Sequence, residues 1–290
     1  MRILHGLATA LAFAFAATTA SAADLSFSYD AAAPLHAVYG PPHILAPRIT
    51  SRSLTFTAPS GHVVTGEVIS GAAAGPHPGV LFVHWLGDTK TTNHTEFEPD
   101  AIALARRGVT SVLVDTMWSK DGWFETVGAN SADDLKGVSG QVIELRRGLD
   151  VLMAQKGVDP KRVAYVGHDF GAMFGALLAG VDQRPSVYVL MAGVPTFSEW
   201  YLLGKTHPQR DAYVADLSGL DATPSLNRSK AKAMLFQFSA HDHYITPERA
   251  QLFASTKVLP KGVFFYDVDH SLAVPQAMTD RDAWLVEQLF

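Results

Sequence analysis

Val163-Ala164-Tyr165-Val166-Gly167-His168-Asp169-Phe170-Gly171-Ala172 is a β-branched and aromatic run that ends in Gly-x-Asp-x-Gly and leads into a segment rich in small residues. The run reads as a buried strand, and residues 171–178 as a helix. A side chain lifted onto a tight strand-to-helix turn needs neighbours without a Cβ two positions to either side. Gly167 and Gly171 provide them, and Gly175 lets the helix lie close to the sheet. The apex residue is Asp169. The partial positive charge of a helix N-terminus favours its carboxylate, which predicts an ionised group at neutral pH.

Outward from this turn, short apolar runs at 80–84, 110–115, 187–191, 233–238 and 263–267 alternate with helical patterns at 96–107, 138–155, 247–255 and 278–289. Near-continuous apolar runs are what strands covered on both faces require. The repeated order of strand then helix predicts an α/β fold with a doubly wound, mostly parallel sheet and right-handed crossovers. Upstream, alternating segments at 53–57 and 63–69, joined by Pro59-Ser60-Gly61, predict an antiparallel hairpin, with a Gly- and Pro-rich linker at 71–79. Residues 23–52, with Pro34, Pro41, Pro42 and Pro47, are expected to form an extended arm, and the domain proper to span 53–290. Residues 195–230 are polar and break the alternation, which predicts a short cap insertion over the carboxyl ends of the strands, where ligands of such sheets bind.

Arg2, the apolar residues 3–17 and Ala20-Ser21-Ala22 together have the form of a cleavable signal peptide over residues 1–22. The expected location is periplasmic or secreted. No later segment reaches about 18 unbroken apolar residues, so no stable membrane span is expected after cleavage. The absence of cysteine agrees with an oxidising compartment. A chain of 290 residues, 48% hydrophobic and 18% charged, has room for a large core, which excludes intrinsic disorder. With 23 Lys+Arg against 28 Asp+Glu and no long basic cluster it is a poor partner for phosphate backbones, which excludes nucleic acid. The expected partner is a small-molecule substrate; composition leaves the oligomeric state open.

The Gly-x-Asp-x-Gly turn resembles the nucleophile elbow of the α/β-hydrolase superfamily, and Gly167-His168-Asp169-Phe170-Gly171 is similar to its Asp-nucleophile branch, the epoxide hydrolases and haloalkane dehalogenases. The chain order nucleophile, acid, histidine is met by Asp169, by Asp242 in His241-Asp242-His243, and by His270 in Asp267-Val268-Asp269-His270-Ser271. The resemblance covers roughly residues 50–290. It extends to Val83-His84-Trp85-Leu86-Gly87, which looks like the oxyanion loop of dienelactone hydrolases and related esterases. Phe170 stands where haloalkane dehalogenases carry a halide-binding tryptophan and fluoroacetate dehalogenases an arginine, which points away from both. Epoxide hydrolases carry two tyrosines in a longer cap, and Tyr201 and Tyr213 lie in the corresponding insertion.

The resemblance implies attack by Asp169 on an electrophilic carbon and release of a covalent alkyl or acyl intermediate by water that His270, oriented by Asp242, activates. The Phe170 amide and one from Trp85 or Leu86 would form the oxyanion hole. No metal or organic cofactor is called for. His84, Trp118, Trp200, Tyr201 and Tyr213 are candidates for the substrate pocket, with Trp123 and Phe124 as further aromatics. Blander readings stand beside these. Asp169 is a helix N-cap on a silent binding protein of the same fold; Asp242 caps the helix near Pro247; His270 is a packed histidine; His84 braces its loop. A zinc site on His241, Asp242 and His243, with His94 or His168, is a third reading.

Overall fold

The computed structural model describes residues 25–73 and 75–290; the leader read at residues 1–22 lies outside them. The elements are β1 (Val38–Tyr39), β2 (His43–Ala46), β3 (Ile49–Thr57), β4 (Val63–Gly71), β5 (His77–Val83), α1 (Glu98–Ala105), β6 (Thr110–Val114), α2 (Trp123–Thr126), α3 (Ser131–Met153), β7 (Val158–His168), α4 (Phe170–Val181), β8 (Val187–Met191), α5 (Phe197–Tyr201), α6 (Arg210–Leu217), α7 (Ala222–Arg228), β9 (Ala233–Ser239), α8 (Pro247–Phe253), β10 (Lys261–Tyr266) and α9 (Pro275–Leu289). They build one sheet in the order β1-β3-β4-β6-β5-β7-β8-β9-β10, with β2 paired to β3. The strands from β6 through β10 run parallel; β3, β4 and β6 pair antiparallel. Every residue of β5, β6, β8 and β9 is buried, which is why these strands read as unbroken apolar runs rather than alternating ones.

Several boundaries differ from the sequence reading: β5 begins at His77, inside the linker placed at 71–79, β7 begins at Val158 and not 163, and α9 at Pro275 and not 278. The hairpin is longer than 53–57 and 63–69, so the limit placed at residue 53 falls inside β3. Part of the arm is strand: β1 and β2 both pair with β3. Its earlier residues lie along α3, where the Arg146 and Arg147 guanidiniums donate to the carbonyls of Phe27 and Ala33 at 2.6 and 2.8 Å. The Tyr29 hydroxyl donates there to Asp150 at 3.0 Å. Helix α3 also begins seven residues before 138, because the Asn130 side chain accepts from the amides of Ala132 and Asp133 and caps it. Between residues 195 and 230 the chain forms α5, α6 and α7 in place of further strands. No helix among the described residues is long and apolar enough to cross a membrane.

Candidate active site

The turn between β7 and α4 places Asp169 at φ 54°, ψ −112°, a conformation that costs a non-glycine residue on the order of 1–3 kcal/mol and persists only where its surroundings enforce it. The surroundings here are tight. A Cβ on Gly167 would run into the carbonyl of Gly171, and one on Gly171 into the carbonyl of Val83 at the end of β5. The Asp169 amide donates to the Met191 carbonyl of β8 at 2.8 Å, and the Tyr165 hydroxyl to the Gly171 carbonyl at 2.7 Å. Although Asp169 occupies the N-cap position of α4, its side chain makes no capping hydrogen bond. Its Oδ2 instead accepts from the Leu86 amide at 3.1 Å. Burial pushes the carboxyl up to about 6, against the opposing charges of His270 and His168 and the amides of Leu86 and Phe170. The group is 4% exposed, and at this depth desolvation outweighs the helix-end charge that the sequence suggested.

The loop after β5 is held so that Leu86, not Trp85, presents its amide to Asp169. The Trp85 amide donates to Glu96 Oε2 at 2.8 Å. His84 turns away from Asp169: its Nδ1 donates to the Trp85 carbonyl at 2.7 Å, and its Nε2 accepts from the hydroxyls of Ser119 (2.8 Å) and Thr116 (3.0 Å). Burial lowers the His84 pKa, in keeping with a neutral ring that donates from one nitrogen and accepts at the other. The Trp118 indole N–H donates to the His84 carbonyl at 3.1 Å from behind the loop.

His270 and Asp242 come from the loops after β10 and β9. His270 Nδ1 lies 2.7 Å from Asp242 Oδ2, and Asp242 Oδ1 accepts from the amides of Tyr244 and Ile245 at 2.8 and 3.1 Å. Burial opposes ionisation of Asp242, but His270 and the two amides outweigh it and hold the carboxyl below its ordinary range. Burial likewise opposes a charged His270, and the Asp242 hydrogen bond with the Asp169 charge reverses that, raising its pKa.

Asp169, Phe170, Leu86 and His270 face one cavity of about 210 Å³, walled by Trp85, Phe124, Trp200, Leu203 and Tyr244. A larger depression of about 470 Å³ between α1 and α9 holds none of the titratable residues named above. Of the aromatic residues expected to line the pocket, Trp200 and Phe124 do. Trp118 is fully buried, its ring centroid 5.1 Å from that of Phe174. Tyr201, one residue after Trp200 in α5, is also fully buried, packed on Phe170 and Phe197. Tyr213 spends its hydroxyl on Asp134 Oδ2 at 2.6 Å. His84, Trp118, Tyr201 and Tyr213 therefore support the walls and do not line them.

Leu203 and Tyr244 line the cavity without having been singled out. Tyr244 stands two residues after Asp242 in a turn that the Asp242 carboxylate itself closes, and that spacing was the available signal. The His-Asp-His triplet does not converge. His241 pairs with Asp267 at 2.7 Å on the surface while Asp242 turns inward to His270. Among the described residues no three His, Cys, Asp or Glu side chains gather as a metal site.

No protein-family profile matches the sequence, and no curated protein matches it. Solved structures do. The acetyl xylan esterase from Paenibacillus sp. R4 superimposes with a TM-score of 0.72 at 17% identity, over 89% of this chain and 90% of that one. Acetyl xylan esterase 1 from Thermoanaerobacterium sp. JW/SL YS485 gives 0.69 at 16% identity, over 89% of each chain. A cold-adapted esterase from an Arctic intertidal metagenomic library gives 0.65 at 17% identity, over 87% of this chain and 98% of that one. The fold is that of the α/β-hydrolases. At such identity the likeness establishes this fold and leaves the chemistry to the site. In the α/β-hydrolase fold the carboxyl ends of the strands carry the site, and here Asp169, Asp242 and His270 all follow such ends.

Proposed function

We propose that the protein is an exported hydrolase that opens a small organic ester, lactone or epoxide through a covalent intermediate on Asp169. The observation that carries this reading is the Asp169 carboxylate, held in a strained turn, free of any capping bond, with Oδ2 on the Leu86 amide. A silent-binding reading in which Asp169 only caps α4 has no capping bond to rest on. Export rests on the leader read at residues 1–22.

In the first step Asp169 Oδ1 bonds to the electrophilic carbon as its bond to the leaving oxygen breaks. That oxygen leaves as an alkoxide or carboxylate; an alkoxide takes a proton from the Tyr244 phenol or from water. His270, with Nδ1–H directed at Asp242, then removes a proton from water at Nε2, and the hydroxide attacks the carboxyl carbon of the Asp169 ester or anhydride. The negative charge of that tetrahedral species falls on Oδ2, beside the Leu86 and Phe170 amides. Collapse breaks the bond to the substrate fragment and leaves Asp169 as the acid, whose proton passes to an alkoxide fragment or to solvent and so restores the carboxylate, while the proton held on His270 returns to the Tyr244 phenolate or to solvent.

Intact mass spectrometry of His270→Ala after incubation with epoxides, lactones, activated esters and haloalkanes tests this reading. A substrate-sized mass increase that is absent in Asp169→Asn is expected. A His270→Ala protein that takes up no mass across the panel would overturn it.

A further inference from the structure

Glu96 lies in the turn before α1, outside the residues proposed to react, yet it touches two of the loops that carry them. Its Oε2 accepts from the Trp85 amide at 2.8 Å, and its Oε1 lies 2.7 Å from Nδ1 of His168. The other ring nitrogen of His168, Nε2, lies 3.1 Å from the backbone carbonyl oxygen of His270. The ring is fully buried and stacks on Trp85, with centroids 5.2 Å apart and 9° between planes. Both nitrogens therefore face acceptors. A carbonyl cannot donate, so Nε2 carries a proton, and a second proton on Nδ1 satisfies the carboxylate.

We infer that Glu96 and His168 are positioning residues, a buried ion pair that ties together the Trp85-Leu86 loop, the Asp169 turn and the His270 loop and sets a positive charge beside the Asp169 carboxylate. The inference of the pair rests on geometry alone, and its consequence for turnover rests on the proposed Asp169 chemistry. The charged or titratable groups around His168 are Asp169 on its own strand end and Glu96 from the turn before α1. His270 lies across from it with ring centroids 5.7 Å apart, backed by Asp242 and by Asp269 at the surface, and His84 lies beyond Glu96. The His168 charge opposes the burial that raises the Asp169 pKa.

Glu96→Gln separates charge from scaffold. Its carboxamide oxygen can still accept from Trp85, while its N–H donates to His168 Nδ1, which leaves the ring neutral and the Nε2–H bond to His270 in place. Nitrogen-15 spectra of the histidine side chains, with His168 assigned through His168→Gln, are expected to show both nitrogens protonated in the wild type and one in Glu96→Gln. The acid limb of the pH–rate profile is expected to move up by about one unit in Glu96→Gln, because a carboxylate that loses a neighbouring cation is harder to ionise. A neutral His168 in the wild type would overturn the pair, as would a folded Glu96→Gln with unchanged His168 protonation. The spectra need no substrate, so an inactive wild type would count against the proposed hydrolysis and not against the pair.

Discussion

The Leu86 amide nitrogen sits 3.1 Å from Asp169 Oδ2, so this donor is aimed at the protein's own carboxylate and not at a vacant position for a substrate carbonyl. In serine esterases the developing oxyanion belongs to the substrate. With an aspartate at the apex it forms on the aspartate when water attacks the intermediate, and one such donor lowers that barrier by about 3–4 kcal/mol. In the proposed mechanism this contact would make release of the intermediate the step that the loop after β5 assists.

The rate is expected to fall below about pH 6. The Asp169 pKa is pushed up to about 6, chiefly by burial, and attack requires the ionised form. The pH dependence of kcat/KM should bend there and drop about tenfold per unit on the acid side. A profile flat to pH 4.5 would contradict the assignment.

Asp169 also costs the fold stability at neutral pH. Its folded pKa is raised above the ordinary 3.8, so its contribution is fully present below that value and is lost as pH rises through about 6. A shift of about two units corresponds to roughly 3 kcal/mol. Asp169→Asn should therefore raise Tm at pH 7.5 by on the order of 6 °C and change it little at pH 4, which thermal unfolding at both values checks.

Replacing Asp242 by Asn should slow turnover by on the order of 10³-fold or more, because the His270 ring loses the acceptor that fixes its tautomer and orientation. Attack by Asp169 does not require His270. The covalent intermediate should thus accumulate, giving a burst of about one product equivalent followed by a slow phase. A variant that slows the burst and the steady state equally would place Asp242 elsewhere in the reaction.

Tyr244 carries the phenol that borders the cavity, with its ring centroid 5.1 Å from that of His270. Tyr244→Phe should slow epoxide opening by about 10²-fold, the range for loss of a general acid, and leave activated esters nearly unchanged. Because Tyr244 is 54% exposed, Tm should hold. Tyr213→Phe should do the reverse. It should cost about 1–2 kcal/mol through the lost bond to Asp134 and leave both rates alone, as parallel kinetics and unfolding would show.

How much of this was readable in advance depended on the range of the interaction concerned. The buried strands β5, β6, β8 and β9 announced themselves as apolar runs, because a strand covered on both faces has no polar side to show. The turn at Asp169 was legible because its two glycines meet backbone only a few residues or one strand away. The beginning of α3 was missed because its cap is Asn130, ahead of a stretch with little periodicity. Trp85 and Leu86 could not be told apart, since the choice depends on Glu96, 11 residues further on, taking the Trp85 amide.

The order of strands and helices and the strained turn follow from side-chain periodicity and local sterics, and those are written in consecutive residues; the set Asp169, Asp242, His270 was legible only through its resemblance to the α/β-hydrolase chain order. Which aromatic side chains face the cavity is set by contacts between residues far apart in the chain. Tyr213 is drawn away by Asp134, 79 residues earlier, and Trp200 and Tyr201 are parted by a single helical step. His168 meets the backbone of His270 across 102 residues. Such pairings depend on how the layers pack, because a hydrogen bond saturates only with the partner that burial brings within reach, and no window of neighbouring residues names that partner.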